Sequence, residues 1–366
     1  MTPVNESSAA FFPAYSLDVP TLAVPQIQRR NSTATTGRAR AETVSSGDNI
    51  KFTSEKQKAT ANLFVTKVKA LVEERSYEVD YEKSYYEVFI DFLRFTFKRS
   101  RSLDILCRPW APTGIEPALP SWIPTLDNAA FRANTRGVYS RVRADPLVGM
   151  PHHGKPTYGA ARTYPARFRF GENPEVHNLF VDGFLLDTII KKELPAQEGN
   201  VPNSWLETGG WRGAIGPAPD RYWRTLVADR SPDGLNPPST YQRACEYAYH
   251  LGPEGGDLNT ERHIMNNCPE IVAEFLRRVQ CVVWKRVLIS TQSGYLGLAP
   301  EKADIGDLVC ILYGCTVPVA LRKMVRDQTT GESHYQFIGE CYIHGMMDGQ
   351  AFQTRTTDEA THFELR

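Results

Sequence analysis

From about Trp284 onward the hydrophobic period of this chain drops from 3.6 residues to 2, and no other feature limits its fold as much. The stretches KRVLIS, YLGLAP, DLVCILYG, VPVALRKM and YQFIGECYIHG read as five short strands. Turn residues separate them at TQSG, DIGD, GCT and DQTTGES. The outer edges of such a set carry unpaired N–H and C=O groups, so the sheet must close or bend strongly to hide them. A small antiparallel β-barrel or bent sheet is therefore expected over 284–353, followed by a tail at 354–366.

Ahead of that change the pattern is mostly helical. The clearest helix lies in VDYEKSYYEVFIDFLRFTFKRS, where Ser84 and Glu87 have capping-box spacing. Val88, Phe89, Phe92 and Leu93 then form an apolar stripe. Burying each is worth roughly 1.5–3 kcal/mol, enough to dock the helix. A weaker helical period runs through Phe64, Val68, Leu71 and Val72. Further helices are predicted in APDRYWRTLVAD, PSTYQRACEYAYH and CPEIVAEFLRRVQCVVW. The last should bury Ile271, Val272, Phe275, Leu276 and Val279. SLDILCR reads as a short buried strand. ARFRF and HNLFVDGFLLDTIIKKE read as strands around a GENPE turn, with a further turn or bulge at Val181–Gly183. The fold class is α+β: a mainly helical body with some strands over 51–283, then the β module. Residues 1–50, rich in Ser, Thr, Ala and Pro, have no hydrophobic period and read as disordered.

The 366 residues carry 42 basic and 42 acidic side chains, so no strong field for nucleic acid or an anionic membrane is expected. No apolar run is long enough for a membrane span. The seven Cys are odd in number, form no CxxC and mostly sit among apolar neighbours. They read as buried free thiols of a reducing, cytoplasmic compartment.

The stretch most like a reactive site is IGECYIHGMMDGQA, residues 338–351. If 335–344 is one regular strand, Phe337, Cys341 and Ile343 share one face. Gln336, Ile338, Glu340, Tyr342 and His344 share the other. Cys341 and His344 then point apart, so no zinc site is expected. Glu340 and His344 lie on one face but about 13 Å apart at strand rise. Two readings stay open. The cluster ends the last strand and docks it on the helical part, or Glu340, His344 and Asp348 form a dispersed acid–base site, joined by Asp307.

Trp122, bracketed by Pro120 and Pro124, reads as a packed anchor, with ligand stacking as the alternative. Trp122 and Tyr342 are the two binding candidates. His152 and His153, adjacent in a Gly- and Pro-rich loop, point apart and read as surface residues. Cys315 follows Gly314 in a turn, with a structural thiol favoured over a nucleophile. No phosphate-binding glycine loop, GxSxG elbow or HExxH occurs, and no cofactor is expected.

Seven segments, in order, resemble the region that follows the incompatibility domain in fungal heterokaryon incompatibility (HET) proteins. They are VDYEKSYYEVFIDFLRFTF, SLDILC, LPSWIPTLD, LFVDGFLLDTI, YWRTLVAD, GYLGLAPEKADIGDLVCILYGCTVPVALRK and YQFIGECYIHGMMDGQAF. The marker stretches of the incompatibility domain itself, SYxWG-like and WIDxxCINQ-like, are absent from this sequence, so none of that domain's residues carries over. Gln350 stands where relatives often have Glu. The resemblance implies a non-enzymatic companion region that works through a protein partner in non-self recognition or regulated cell death. An enzyme with a dispersed site, and a small-molecule or peptide sensor using the barrel groove, are the rival expectations.

Overall fold

The computed structural model describes residues 83–366, apart from 113, 116–117, 126–130, 134–138, 142–146, 150–155, 173–176, 198, 253–254, 326–332 and 354–359. The expected disordered segment 1–50, the helical period at 64–72, and His152 and His153 fall outside the described residues.

The helices are α1 (Tyr85–Ser100), α2 (Ser204–Gly209), α3 (Asp220–Leu226), α4 (Thr240–His250), α5 (Thr260–Met265) and α6 (Glu270–Val283). The strands are β1 (Phe131–Ala133), β2 (Tyr139–Arg141), β3 (Phe168–Phe170), β4 (Leu179–Pro195), β5 (Asn200–Val201), β6 (Leu258–Asn259), β7 (Arg286–Thr291), β8 (Leu296–Pro300), β9 (Leu308–Leu312), β10 (Val319–Val325), β11 (Ser333–Glu340), β12 (Tyr342–Ile343) and β13 (Thr361–Leu365).

Helix α1 begins as its sequence requires. The Ser84 backbone N–H donates to the Glu87 carboxylate at 2.8 Å, and the Glu87 N–H donates back to the Ser84 hydroxyl. Its inner face buries Phe89, Ile90, Phe92, Leu93 and Phe97. Phe97 packs edge-on against Phe168 of β3, with ring centres 4.9 Å apart.

The segment after α1 departs from the expected strand and forms a 3-10 turn, Asp104–Cys107. The cause is local hydrogen bonding. The Asp104 N–H donates to the Ser102 hydroxyl, and the Asp104 carboxylate accepts the Thr316 N–H at 2.8 Å and its hydroxyl at 3.0 Å. Burial pushes the Asp104 pKa up despite those bonds.

The barrel closes. Strands β4, β13, β11, β10 and β9 pair in that order, and β9 returns to pair with β4. Its membership differs from the pattern read along the chain. β4 lies more than a hundred residues before β9. β13 falls in what reads as a tail, yet Phe363 and Leu365 alternate inward, 1% and 0% exposed. The β11–β13 seam is parallel and the other seams are antiparallel. Strands β7 and β8 instead continue a second layer from the far half of β4, ending at β12.

Strand β4 runs 17 residues with neither the turn nor the bulge expected at Val181–Gly183, where its pairing with β13 is regular. Gly183 serves close approach instead. A Cβ there would overlap the Ile311 carbonyl oxygen and lie 2.9 Å from the Leu312 Cα. The glycine lets β4 press onto β9 and shut the ring.

One apolar cluster crosses position 284. It joins Trp205, Tyr222, Trp223, Tyr241 and Phe275 of the helical part to Leu179, Val181, Leu312, Leu321, Phe337 and Phe363 of the barrel. The described residues belong to one compact unit, so the expected boundary at 283/284 does not divide the core. On α6, Ile271 is 42% exposed, against the expected inward face, while Ala273, Val282 and Val283 are buried.

Gly183→Ala should lower the denaturation midpoint, by about 1–3 kcal/mol of stability, since backbone rather than a flexible side chain occupies the site. Urea unfolding followed by tryptophan fluorescence would measure it.

Candidate functional site

The stretch 338–351 does not hold a single regular strand. Ala320 pairs with Gly339, and Leu321 pairs with Phe337, so Ile338 is an extra residue on β11. Gly339 carries φ 142°, a conformation other residues rarely adopt. The bulge resets the alternation. Phe337 joins the main core, while Cys341 and Ile343 join a second cluster with Ile189, Val287 and Ala299. The expected grouping of Phe337 with Cys341 and Ile343 is thus corrected. Beyond the bulge the pleat holds: Cys341 lies in the second cluster, whereas His344 meets the Tyr342 hydroxyl at 3.1 Å. Among the described residues no group of three or more His, Cys, Asp or Glu is placed to hold a metal.

Glu340 is 7% exposed and sits at a three-way joint. Arg286, at the start of β7, donates to its carboxylate at 2.5 Å. The backbone N–H groups of Leu147 and Val148 donate to the same carboxylate at 2.8 and 3.2 Å. Arg286 also donates to the Val282 carbonyl at the end of α6. A carboxylate so enclosed ties a loop, a helix end and the sheet together. Asp307, 2% exposed, is likewise held by Arg322, through Nε at 2.8 Å and Nη2 at 2.9 Å.

His344 and Asp348 reach a different place, a polar seam between the α3–α4 connection and the turn after β12. Arg230, 7% exposed, grips both Asp348 oxygens at 3.0 and 2.9 Å. Its guanidinium lies 4.6 Å over the Tyr158 ring and donates to the Thr157 and Asp229 carbonyls. The two residues before it, Ala228 and Asp229, both have φ 50°. Left-handed backbone at consecutive non-glycine residues costs roughly 1 kcal/mol or more each. The turn is held by Tyr158, which donates to the Ala228 carbonyl, and by Arg224, which bonds the Asp229 carboxylate at 2.7 Å. Burial lowers the His344 pKa, opposed by the charges of Asp229 and Asp220 and reinforced by those of Arg224 and Arg221.

The site candidates are therefore separated rather than gathered. Glu340 pairs with Arg286, Asp348 with Arg230, Asp307 with Arg322, and His344 with Tyr342. Trp122, read as a packed anchor with ligand stacking as the alternative, and Tyr342, the other binding candidate, are each 0% exposed. Trp122 donates its indole N–H to the His177 carbonyl at 3.1 Å, as a packed anchor does. None of the seven Cys is joined in a disulfide. Cys315 is buried 3.9 Å from the Cys107 sulfur, and burial also pushes the Cys341 thiol pKa up. The arginines that decide these pairings, Arg230 and Arg286, have no signature in sequence beyond an Arg beside an apolar run.

A family model described as the Het-6 β-barrel domain matches residues 240–363. That span holds the ring strands β9, β10 and β11 and the first part of β13; β4 lies outside it. Heterokaryon incompatibility protein 6, OR allele, of Neurospora crassa is 30% identical over 112 residues, covering 31% of this chain. The chain is related to the heterokaryon incompatibility proteins. It spans 15% of the length of that curated HET relative. No solved structure matches the chain. The period-2 segments expected to form the β module, 284–353, all lie within the matched span.

Glu340→Gln should cost about 3–5 kcal/mol, because it leaves Arg286 buried without a counter-charge. The double variant Glu340→Leu/Arg286→Met should recover most of that loss in the same unfolding experiment. His344 makes a second prediction. Its folded pKa is below the unfolded value of about 6.5, so its contribution is fully present above that pH. It is lost as pH falls toward the folded pKa, since the unfolded chain then binds more protons. His344→Gln should flatten the decline in melting temperature below about pH 6.5.

Proposed function

We propose that this HET-related chain is a non-enzymatic binding and regulatory module, acting through a protein partner in non-self recognition or the cell death that follows it. One observation carries the reading: the carboxylates that would do acid–base work are each engaged by an arginine that joins two parts of the fold. Glu340 fastens Leu147–Val148 and the end of α6 to the sheet. Asp348 fastens the α3–α4 connection to the turn after β12. A carboxylate in such a pair loses buried or half-buried charge compensation if it gives up or takes a proton. These groups suit a rigid platform better than proton transfer. The family relationship supports the setting, a cytoplasmic protein of the incompatibility response.

The test separates scaffold from catalysis at His344. Gln keeps a hydrogen-bonding group beside Tyr342 but cannot shuttle a proton near neutral pH. In a fungal host where expression of the full chain alters growth or cell survival on fusion, His344→Gln should retain the phenotype within about twofold. A loss of the 10²-fold order expected for a general acid–base residue, in a variant that unfolds at the wild-type temperature, would restore the enzyme reading.

A further inference from the structure

The outer face of β3, β4 and β13 holds a groove of about 520 Å³, lined by Arg167, Phe168, Arg169, Phe180, Asp182 and His362. We propose that this groove is a binding site for a small phosphate monoester with a flat apolar part, such as a nucleoside monophosphate. The inference does not rest on the protein-partner reading above.

Register places the groups in two rows across three neighbouring strands. Arg169 pairs with Phe180, which pairs with Glu364. One step along, the Asp182 N–H donates to the Arg167 carbonyl, and Asp182 pairs with His362. Adjacent rows on one face are about 7 Å apart and adjacent strands about 4.8 Å, so one small ligand can reach both rows.

The two guanidiniums are held by rings. Arg169 lies 4.1 Å over Phe180, and Arg167 lies 5.5 Å over Tyr313. A guanidinium fixed by its face presents its N–H edge, the geometry that takes two oxygens of a phosphate. Arg167 is only loosely engaged by Asp182, at 4.0 Å, and its side chain is 57% exposed. Asp182 instead holds His362 Nδ1 at 2.6 Å, which leaves the exposed ring's Nε2 as its second bonding atom. Arg167 and Arg169 bring two positive charges to the groove against the one negative charge of Asp182, while Glu364 of the same outer row is taken by Arg366. Two guanidinium forks suit the several oxygens of a phosphate better than a single carboxylate does. In a chain with equal numbers of acids and bases, the excess is local. Phe180 supplies the apolar part of the floor, and the volume lies within the usual range for small-molecule sites.

Calorimetric titration of the full chain with adenosine monophosphate, inorganic phosphate and adenosine tests the assignment. Adenosine monophosphate should bind with Kd at or below ~1 mM, phosphate more weakly, and adenosine not measurably. Arg167→Ala/Arg169→Ala should weaken binding at least tenfold. Asp182→Asn keeps an acceptor for His362 and removes the competing carboxylate, so it should tighten binding several-fold. A wild-type chain with no saturable binding of either phosphate probe overturns the proposal. So does an affinity unchanged in the double arginine variant, or one that falls in Asp182→Asn.

Discussion

The architecture depends on one strand serving two sheets. β4 pairs first with β3 and β13, then with β9, then with β7. Its register shifts between Leu185 and Asp187 and again between Ile189 and Lys191. Each shift bends the strand and lets it leave one layer for the next. Without β4 the strands β13, β11, β10 and β9 would form an open sheet with two exposed edges. The close contact at Gly183 is thus the point at which an open sheet becomes a ring. It also explains why the helical part and the barrel share a core: the strand that closes the barrel comes from within the earlier part of the chain.

That arrangement brings polar groups into places where water is scarce, and the chain answers with arginine. A carboxylate at a crossing of layers cannot remain unpaired at low cost, and a planar guanidinium satisfies it while also reaching nearby carbonyls. Arg286 does this for Glu340 and Val282, and Arg230 does it for Asp348, Thr157 and Asp229. Arg230 is positioned by a turn with two strained residues, Ala228 and Asp229. The strain is offset by Arg224, Tyr158 and the Asp348 pair, so that turn is a point where the helical part and the sheet hold each other in place.

The parts legible in the sequence are those set by local pattern. The α1 capping box needs only Ser84 and Glu87, four residues apart inclusive, and it forms as spaced. The period-2 segments after Trp284 all became strands, since alternation and turns are short-range signals. The illegible parts depend on partners far along the chain. Nothing near THFEL shows that β4 waits for it, so β13 reads as a tail. SLDILCR reads as apolar strand because its decisive partner, Thr316, is 212 residues away. The parity of 335–344 fails at one residue, Ile338, whose extra position in β11 beside Gly339 reverses every face before it relative to those after it. Glu340 and His344 read as a pair on one face, and the fold gives each a different arginine-rich or aromatic neighbourhood.

The same alternation that buries Leu179, Val181, Phe363 and Leu365 must turn Phe180, Asp182, His362 and Glu364 outward. A barrel strand has no other choice once its inner face is filled. What pleat geometry does not dictate is the chemistry of the outer row. A solvated face calls for mixed, mobile charges, whereas here arginines sit over Phe180 and Tyr313, and an aspartate meets a histidine. Holding long side chains in single conformations costs side-chain entropy and gains little at an exposed site. The barrel core needs none of this outer order, so the groove chemistry is set by these outer residues alone and can be changed without touching the inner face.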